Sequence, residues 1–139
     1  MDLNSIIALD GDALFDFAND TDQSILCDWR EEPDAVVDYA NAFLPEDLAL
    51  EYTENDDGLT ICNRNGRYSV SIDDYEETEE PIPMLLREIN KLIAPSHAAR
   101  YFNCLDGTDS YSYLLRSNDF WTMIDSQHPG DATRIFRDP

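Results

Sequence analysis

Between residues 48 and 72 the hydrophobic period of this chain shortens to two, and no other feature limits the fold as sharply. Leu48, Leu50 and Tyr52 alternate with Ala49, Glu51 and Thr53; Leu59 and Ile61 with Thr60 and Cys62; Tyr68, Val70 and Ile72 with Arg67, Ser69 and Ser71. Successive side chains of a strand point to opposite faces, so each segment reads as a half-buried strand. The connections are Glu54-Asn55-Asp56-Asp57-Gly58 and Asn65-Gly66. An Asn-Gly pair favours a two-residue type I′ turn, which needs positive φ at both central positions. The expectation is a three-stranded antiparallel meander.

Helical spacing flanks it. Val36, Val37, Ala40, Phe43 and Leu44 fall at helical intervals over residues 34–44, closed by Pro45. Leu85, Leu86, Ile89, Leu92 and Ile93 share one face of a second helix that follows Pro81 and Pro83 and stops at Pro95. Residues 98–104 and 110–115 read as a further hairpin across Asp106-Gly107-Thr108-Asp109, and Ser117 is an N-cap for a last helix over 118–126. A short strand is expected at 133–136. The first 33 residues are the least regular: 13–18 reads as two helical turns capped by Asp12, residues 6–9 fit strand or helix, and Ile25, Leu26 and Trp29 are expected to tuck onto the core. Hairpins and segregated helices together give an α+β class. The layout expected is one two-layer domain over 1–139, a largely antiparallel sheet of five to six strands with helices on one face.

Charge is placed very unevenly along this layout. The chain carries 30 acidic and nine basic residues, a net −21; residues 1–80 hold 23 of the acids with only Arg30, Arg64 and Arg67, giving −20, while residues 81–139 come to −1. Such self-repulsion does not help a fold, which leaves solubility or a partner of opposite sign as its use. The densest run is Asp73, Asp74, Tyr75, Glu76, Glu77, Thr78, Glu79 and Glu80. One reading is a solvated loop leading into a helix. The other joins the run to Glu54, Asp56 and Asp57 as a landing surface for a Lys/Arg-rich cleft, with Tyr75 as an aromatic anchor. Direct contact with nucleic acid or an anionic membrane would oppose this charge. No leader and no run near the roughly 20 apolar residues that span a bilayer is visible, so a cytoplasmic protein is expected. Cys27, Cys62 and Cys104 are odd in number and widely spaced, which reads as reduced, packed thiols.

Catalytic patterns are sparse. Asp10-Gly11-Asp12 after Ile6-Ile7-Ala8-Leu9 superficially resembles the first motif of haloacid-dehalogenase-like phosphatases, which would make Asp10 a nucleophile and Asp12 an acid/base beside Mg²⁺. Leu14 and the antiparallel hairpins depart from that pattern, and a helix cap is the alternative. His97 and His128 have no partner at ligand spacing, and His97 is expected in a loop. Cys104 with His97 as base has no motif behind it, and a Cys in an alternating strand reads as packing. Asn55-Asp56-Asp57-Gly58 reads as a turn and lacks the calcium-loop pattern. Tyr101, Tyr111, Tyr113, Phe120 and Trp121 read as sheet-face packing. No cofactor is expected.

The segment Pro83-Met84-Leu85-Leu86-Arg87-Glu88-Ile89-Asn90-Lys91-Leu92-Ile93-Ala94-Pro95, with Arg100-Tyr101-Phe102, the Asp106-Gly107-Thr108-Asp109 turn and the Phe120-Trp121 helix, resembles small immunity proteins encoded beside bacterial polymorphic toxins of type VI or contact-dependent systems. The likeness spans roughly the C-terminal 55 to 60 residues, together with the overall size, acidity and α+β layout. It implies a cytosolic antidote that binds one cognate toxin and blocks its cleft, without catalytic residues of its own. An adaptor or chaperone for a secreted effector is the alternative within the binding class; the Asp10/Asp12 phosphatase is the alternative outside it.

Overall fold

The computed structural model describes all residues, Met1–Pro139, as seven helices and seven strands. In chain order these are α1 (Leu3–Ile7), α2 (Gly11–Ala18), β1 (Ile25–Asp28), α3 (Pro33–Asn41), β2 (Glu51–Asn55), β3 (Gly58–Asn63), β4 (Gly66–Ser71), α4 (Ile72–Glu77), α5 (Pro81–Ile93), β5 (His97–Phe102), β6 (Ser110–Ser117), α6 (Asn118–Gln127), α7 (Pro129–Ile135) and β7 (Phe136–Arg137). The α+β class stands. The strands, however, form two antiparallel sheets instead of one, β1-β6-β5-β7 and β2-β3-β4.

Helices also cover both faces of the larger sheet, where one covered face was expected. Burial explains it: β6 is buried at Ser112, Tyr113, Leu114 and Leu115 without alternation, the mark of a strand enclosed on both sides. On one face Phe17 of α2 meets Phe102 edge-on at 5.8 Å, the Ser112 hydroxyl donates to the Ala18 carbonyl, and Trp121 of α6 meets Phe136 at 5.0 Å. On the other, Pro83 and Arg87 of α5 border Tyr101, Tyr111 and Tyr113.

α5 lies between the two sheets and is the centre of the fold. Leu85, Leu86, Ile89 and Ile93 are fully buried, each stabilising the fold by about 1.5–3 kcal/mol. Its polar residues tie down strand edges. The Asn90 amide donates to the Ala99 carbonyl at 3.0 Å and accepts from the Ala99 amide at 2.8 Å, standing in for a missing neighbour strand. Asn41 of α3 does the same for Leu50, at 2.9 and 2.8 Å. From the smaller sheet, the Asn63 and Asn65 amides both donate to the Leu92 carbonyl at the end of α5, at 3.0 and 2.9 Å.

That tie corrects the expected turn. Asn63 pairs with Gly66, so the loop residues are Arg64 and Asn65, and neither has positive φ. The Asn63 carboxamide oxygen accepts from the Asn65 amide at 2.9 Å while both Asn side chains hold α5, and this favours a turn with Asn first and Gly fourth over the type I′ form. The β2–β3 turn repeats the pattern: Asn55 pairs with Gly58, and its side-chain oxygen accepts from Asp57 and Gly58 at 2.9 and 3.1 Å. A Cβ on Gly58 would stand 2.3 Å from the Val70 carbonyl oxygen, so close approach requires glycine there.

Other differences are local. Residues 25–28, where Ile25 and Leu26 were expected against the core without a strand assignment, form edge strand β1 against β6, with Ile25 fully buried. Residues 6–9 continue helix α1 or leave it, with no strand character. Leu48 lies in a 3-10 turn, and the strand begins at Glu51. The strand expected at 133–136 is mostly helix α7, where Arg134 donates to the Leu9 and Ile7 carbonyls at 2.8 and 3.0 Å and so anchors the N-terminal segment.

Candidate functional site

The acidic run is a helix with its own cap. Ser71 accepts from the Asp74 amide at 3.1 Å, and Asp73 and Asp74 occupy the first turn, where the helix dipole favours negative charge. Ser71 also pairs with Gly58, the residue that ends the β2–β3 turn. The turn carrying Asp56 and Asp57 and the helix carrying Asp73 and Asp74 therefore start side by side, although some 15 residues separate them in the chain. Glu54 lies opposite Leu59, on the inward side of the small sheet, at the end nearest Tyr75.

Tyr75 is half-buried, and burial pushes its phenol up to about 12, with Tyr52, Glu32, Tyr68 and Glu54 adding to the shift. The Tyr52 phenol is likewise pushed up to about 12 by burial, then by Glu54, Asp34 and Glu32. Both rings thus sit in a field set by carboxylates from two separate segments. Tyr75 and Glu76 border a depression of about 310 Å³ together with Trp29, Glu31, Glu32 and Glu79.

Trp29 was expected in the core and is 47% exposed. Its backbone amide donates to the Asp109 carbonyl at 3.0 Å, a further rung beyond β1, so the residue is fixed while its ring points to solvent. The Arg30 guanidinium covers the ring at 4.1 Å from its centroid. Arg30 itself is placed by Asp28, which accepts from its amide at 2.9 Å, and Glu31 reaches back to the Asp28 amide at 3.4 Å. Sequence reasoning placed Trp29 on the core and did not assign Trp29, Glu31 and Glu32 to the partner surface. Their signal was an aromatic embedded among acids ahead of Pro33, the same pattern that marked Tyr75.

Of the ten residues expected at a partner surface, Glu54, Asp73, Asp74, Tyr75, Glu76, Glu77 and Glu79 lie on α4 and the ground around it, with Asp56 and Asp57 at the hairpin tip beside it. Glu80 does not join them; it faces a different cleft, with Tyr111 and Arg137. All nine carboxylates are exposed, and none is in an ion pair. Hydrogen bonds that shape the two segments run through Asn55, Ser71 and Thr78, leaving these acids facing water.

The catalytic patterns are not assembled. Asp10 follows a helix, not a strand, and occupies the N-cap position of α2 without a side-chain cap bond, so the strand context of the phosphatase motif is missing. His97 opens strand β5 instead of lying in a loop, and Cys104 lies in the 3-10 turn beyond the far end of that strand. Nowhere are three or more His, Cys, Asp or Glu side chains gathered at metal-binding range. Cys27 is buried and its thiol is pushed up to about 12, chiefly by that burial and then by Glu31. No helix is long and apolar enough to cross a membrane. Comparison with known proteins leaves the geometry to speak alone: no protein family, characterised protein or solved structure matches the chain.

Proposed function

We propose that the protein is an inhibitor of immunity type, which captures a basic cognate toxin or effector through the acidic face built on α4, the β2–β3 turn and the Trp29–Glu32 corner. One observation carries the reading: a rigidly held, exposed Trp29 beside half-buried Tyr75, ringed by Glu31, Glu32, Glu76 and Glu79, none of which is in an ion pair. Aromatic anchors supply contact area at low entropic cost, and a ring of unpaired charge speeds encounter and rejects partners of like sign. A Lys/Arg-rich cleft that otherwise holds phosphate is the complementary surface. Arg30, stacked on Trp29, keeps the ring in its outward pose.

The test starts from capture of partners on the immobilised protein, released by a salt gradient. The purified partner is then titrated against wild type, Trp29→Ala, and the variant Glu54→Lys/Glu76→Lys/Glu77→Lys/Glu79→Lys. The last leaves Asp73 and Asp74 in place so that the α4 dipole is still satisfied. A stoichiometric complex with a basic protein is expected, weakened about 100-fold by the four lysines and about tenfold or more by Trp29→Ala. Equal affinity for all three proteins would remove this surface from the function.

A further inference from the structure

Most strand edges of this fold are closed by something, and along β2 the closure stops partway. In an antiparallel strand the backbone groups of alternate residues point to the same side. The Asn41 side chain engages both backbone groups of Leu50, at 2.9 and 2.8 Å, on the side turned away from β3. Tyr52 and Glu54 follow Leu50 at that spacing. Their N–H and C=O groups therefore face outward, and they have no hydrogen-bond partner, while Thr53 and Asn55 hold β3. All of β2 except the half-buried Tyr52 is exposed.

The other edges differ. Asn90 engages both groups of Ala99 on β5, β7 continues β5 at Tyr101 and Phe102, and Glu31 engages the Asp28 amide and carbonyl on β1. β4 is open at Arg67 and Ser69, but its side chains include one cation and no acid. β2 carries Glu51 and Glu54 and no cation. Burial raises the Tyr52 phenol first, and the carboxylates of Glu54, Asp34 and Glu32 add to the shift, so the ground beside this edge is negative. Charged side chains on an edge normally turn away another strand. Here the charges are acids, so they turn away a second copy of this chain, which carries −21, and not a strand bearing Lys or Arg.

We propose that the open edge of β2 receives an extended, Lys/Arg-bearing segment of the partner as a fourth strand of the small sheet, its backbone bonding Tyr52 and Glu54 and its basic side chains lying beside Glu54, Glu32 and Asp34. In strand addition the main-chain bonds supply affinity and the alternate side chains supply selectivity. Opposite charges facing each other across neighbouring strands favour the pairing. The inference rests on the inhibitor reading for the partner's basic character, and adds the way in which that partner is gripped.

The probe is acetyl-Lys-Val-Lys-Val-Lys-amide, followed by amide hydrogen exchange of the full chain by NMR. A residue bonded to Tyr52 or Glu54 has its side chain on their face, so the lysine N–H groups are the ones that donate to β2. Saturating peptide should slow exchange of the Tyr52 and Glu54 amides about tenfold or more and leave Arg67 and Ser69, on the far edge, unchanged. N-methylation of the lysine amides keeps every charge and should weaken binding about tenfold or more, whereas N-methylation of the valines should change it little. Acetyl-Glu-Val-Glu-Val-Glu-amide should not bind. Strand addition is overturned if the Tyr52 and Glu54 amides exchange as fast with the lysine peptide as without it, if the lysine-methylated peptide binds as well as its parent, or if the glutamate peptide binds better. Each of these results leaves the capture of a basic partner by the acidic face untouched. Slowed exchange at Tyr52 and Glu54, with no basic protein captured on the immobilised chain, would instead support the edge as a dock for a basic strand and remove the inhibitor reading.

Discussion

Of the 23 carboxylates in residues 1–80, only Asp47 is held in an ion pair; of the seven in residues 81–139, Glu88, Asp106, Asp125 and Asp131 all are. The later region uses its cations as structure. Arg100 grips Asp125 through two bonds of 2.8 and 2.7 Å and stacks over Trp121 at 4.5 Å; Arg137 bonds Asp106 and covers Tyr101; Arg134 clamps the end of α1. The earlier region has three arginines and leaves its acids to water. Charge that is paired serves the fold, and charge that is left unpaired on a capped helix and rigid turns is available to something outside it. The difference is one of use, not of composition alone.

The comparison assumes that both regions belong to one cooperative unit, with α5 between the sheets. Leu86→Ala, at a fully buried position of α5, should cost about 3 kcal/mol and shift a single urea transition seen equally by both sheets. Two separated transitions would mean that the regions are independent, and the contrast between them incidental. Gly58→Ala should cost about 2 kcal/mol, because its Cβ would press on the Val70 carbonyl oxygen. Since Gly58 pairs with the Ser71 cap, amide exchange should quicken in α4 while β5 and β6 stay protected.

Asp125→Asn probes the paired region. Solvent screening limits the loss to about 0.5–1 kcal/mol at neutral pH. The hydrogen bond from Arg100 holds the Asp125 carboxyl below its ordinary 3.8. A depressed carboxylate stabilises the fold above its unfolded value, and that contribution disappears as pH falls through the folded one. Wild type and variant should therefore converge in stability under acid, below 3.8, and differ at pH 7. The smallest effect concerns the unpaired region: raising salt from low to about 0.5 M should stabilise the wild type by a few tenths of a kcal/mol, by screening like charges. No salt effect would show that the acids are too far apart to repel.

Much of the scaffold was legible because local rules decided it. The meander, α3, α5, the β5–β6 hairpin and α6 follow from periodicity and from Pro45, Pro81 and Pro95. What escaped was decided by contacts distant in the chain. The Asn65-Gly66 turn shifted by one residue because α5 offers the Leu92 carbonyl to both asparagines. β1 was invisible in isolation, since four residues at a sheet edge carry little pattern, and it forms because β6 supplies its partner. For the surface, charge density pointed to Asp73–Glu80 as a stretch, but not to its division: Glu79 looks toward Trp29 and Glu80 toward Arg137. Nor could composition place Trp29 outside, because hydrophobicity alone predicts burial for a tryptophan.

The most direct test of the contrast is a paired measurement on the Glu54→Lys/Glu76→Lys/Glu77→Lys/Glu79→Lys variant: unfolding free energy at low salt, and affinity for the isolated basic partner. If these acids are reserved for binding, the variant will be as stable as wild type or up to about 1 kcal/mol more so, and its affinity will fall about 100-fold. A variant that loses stability while keeping its partner would contradict the account, and would make the acidic face part of the fold.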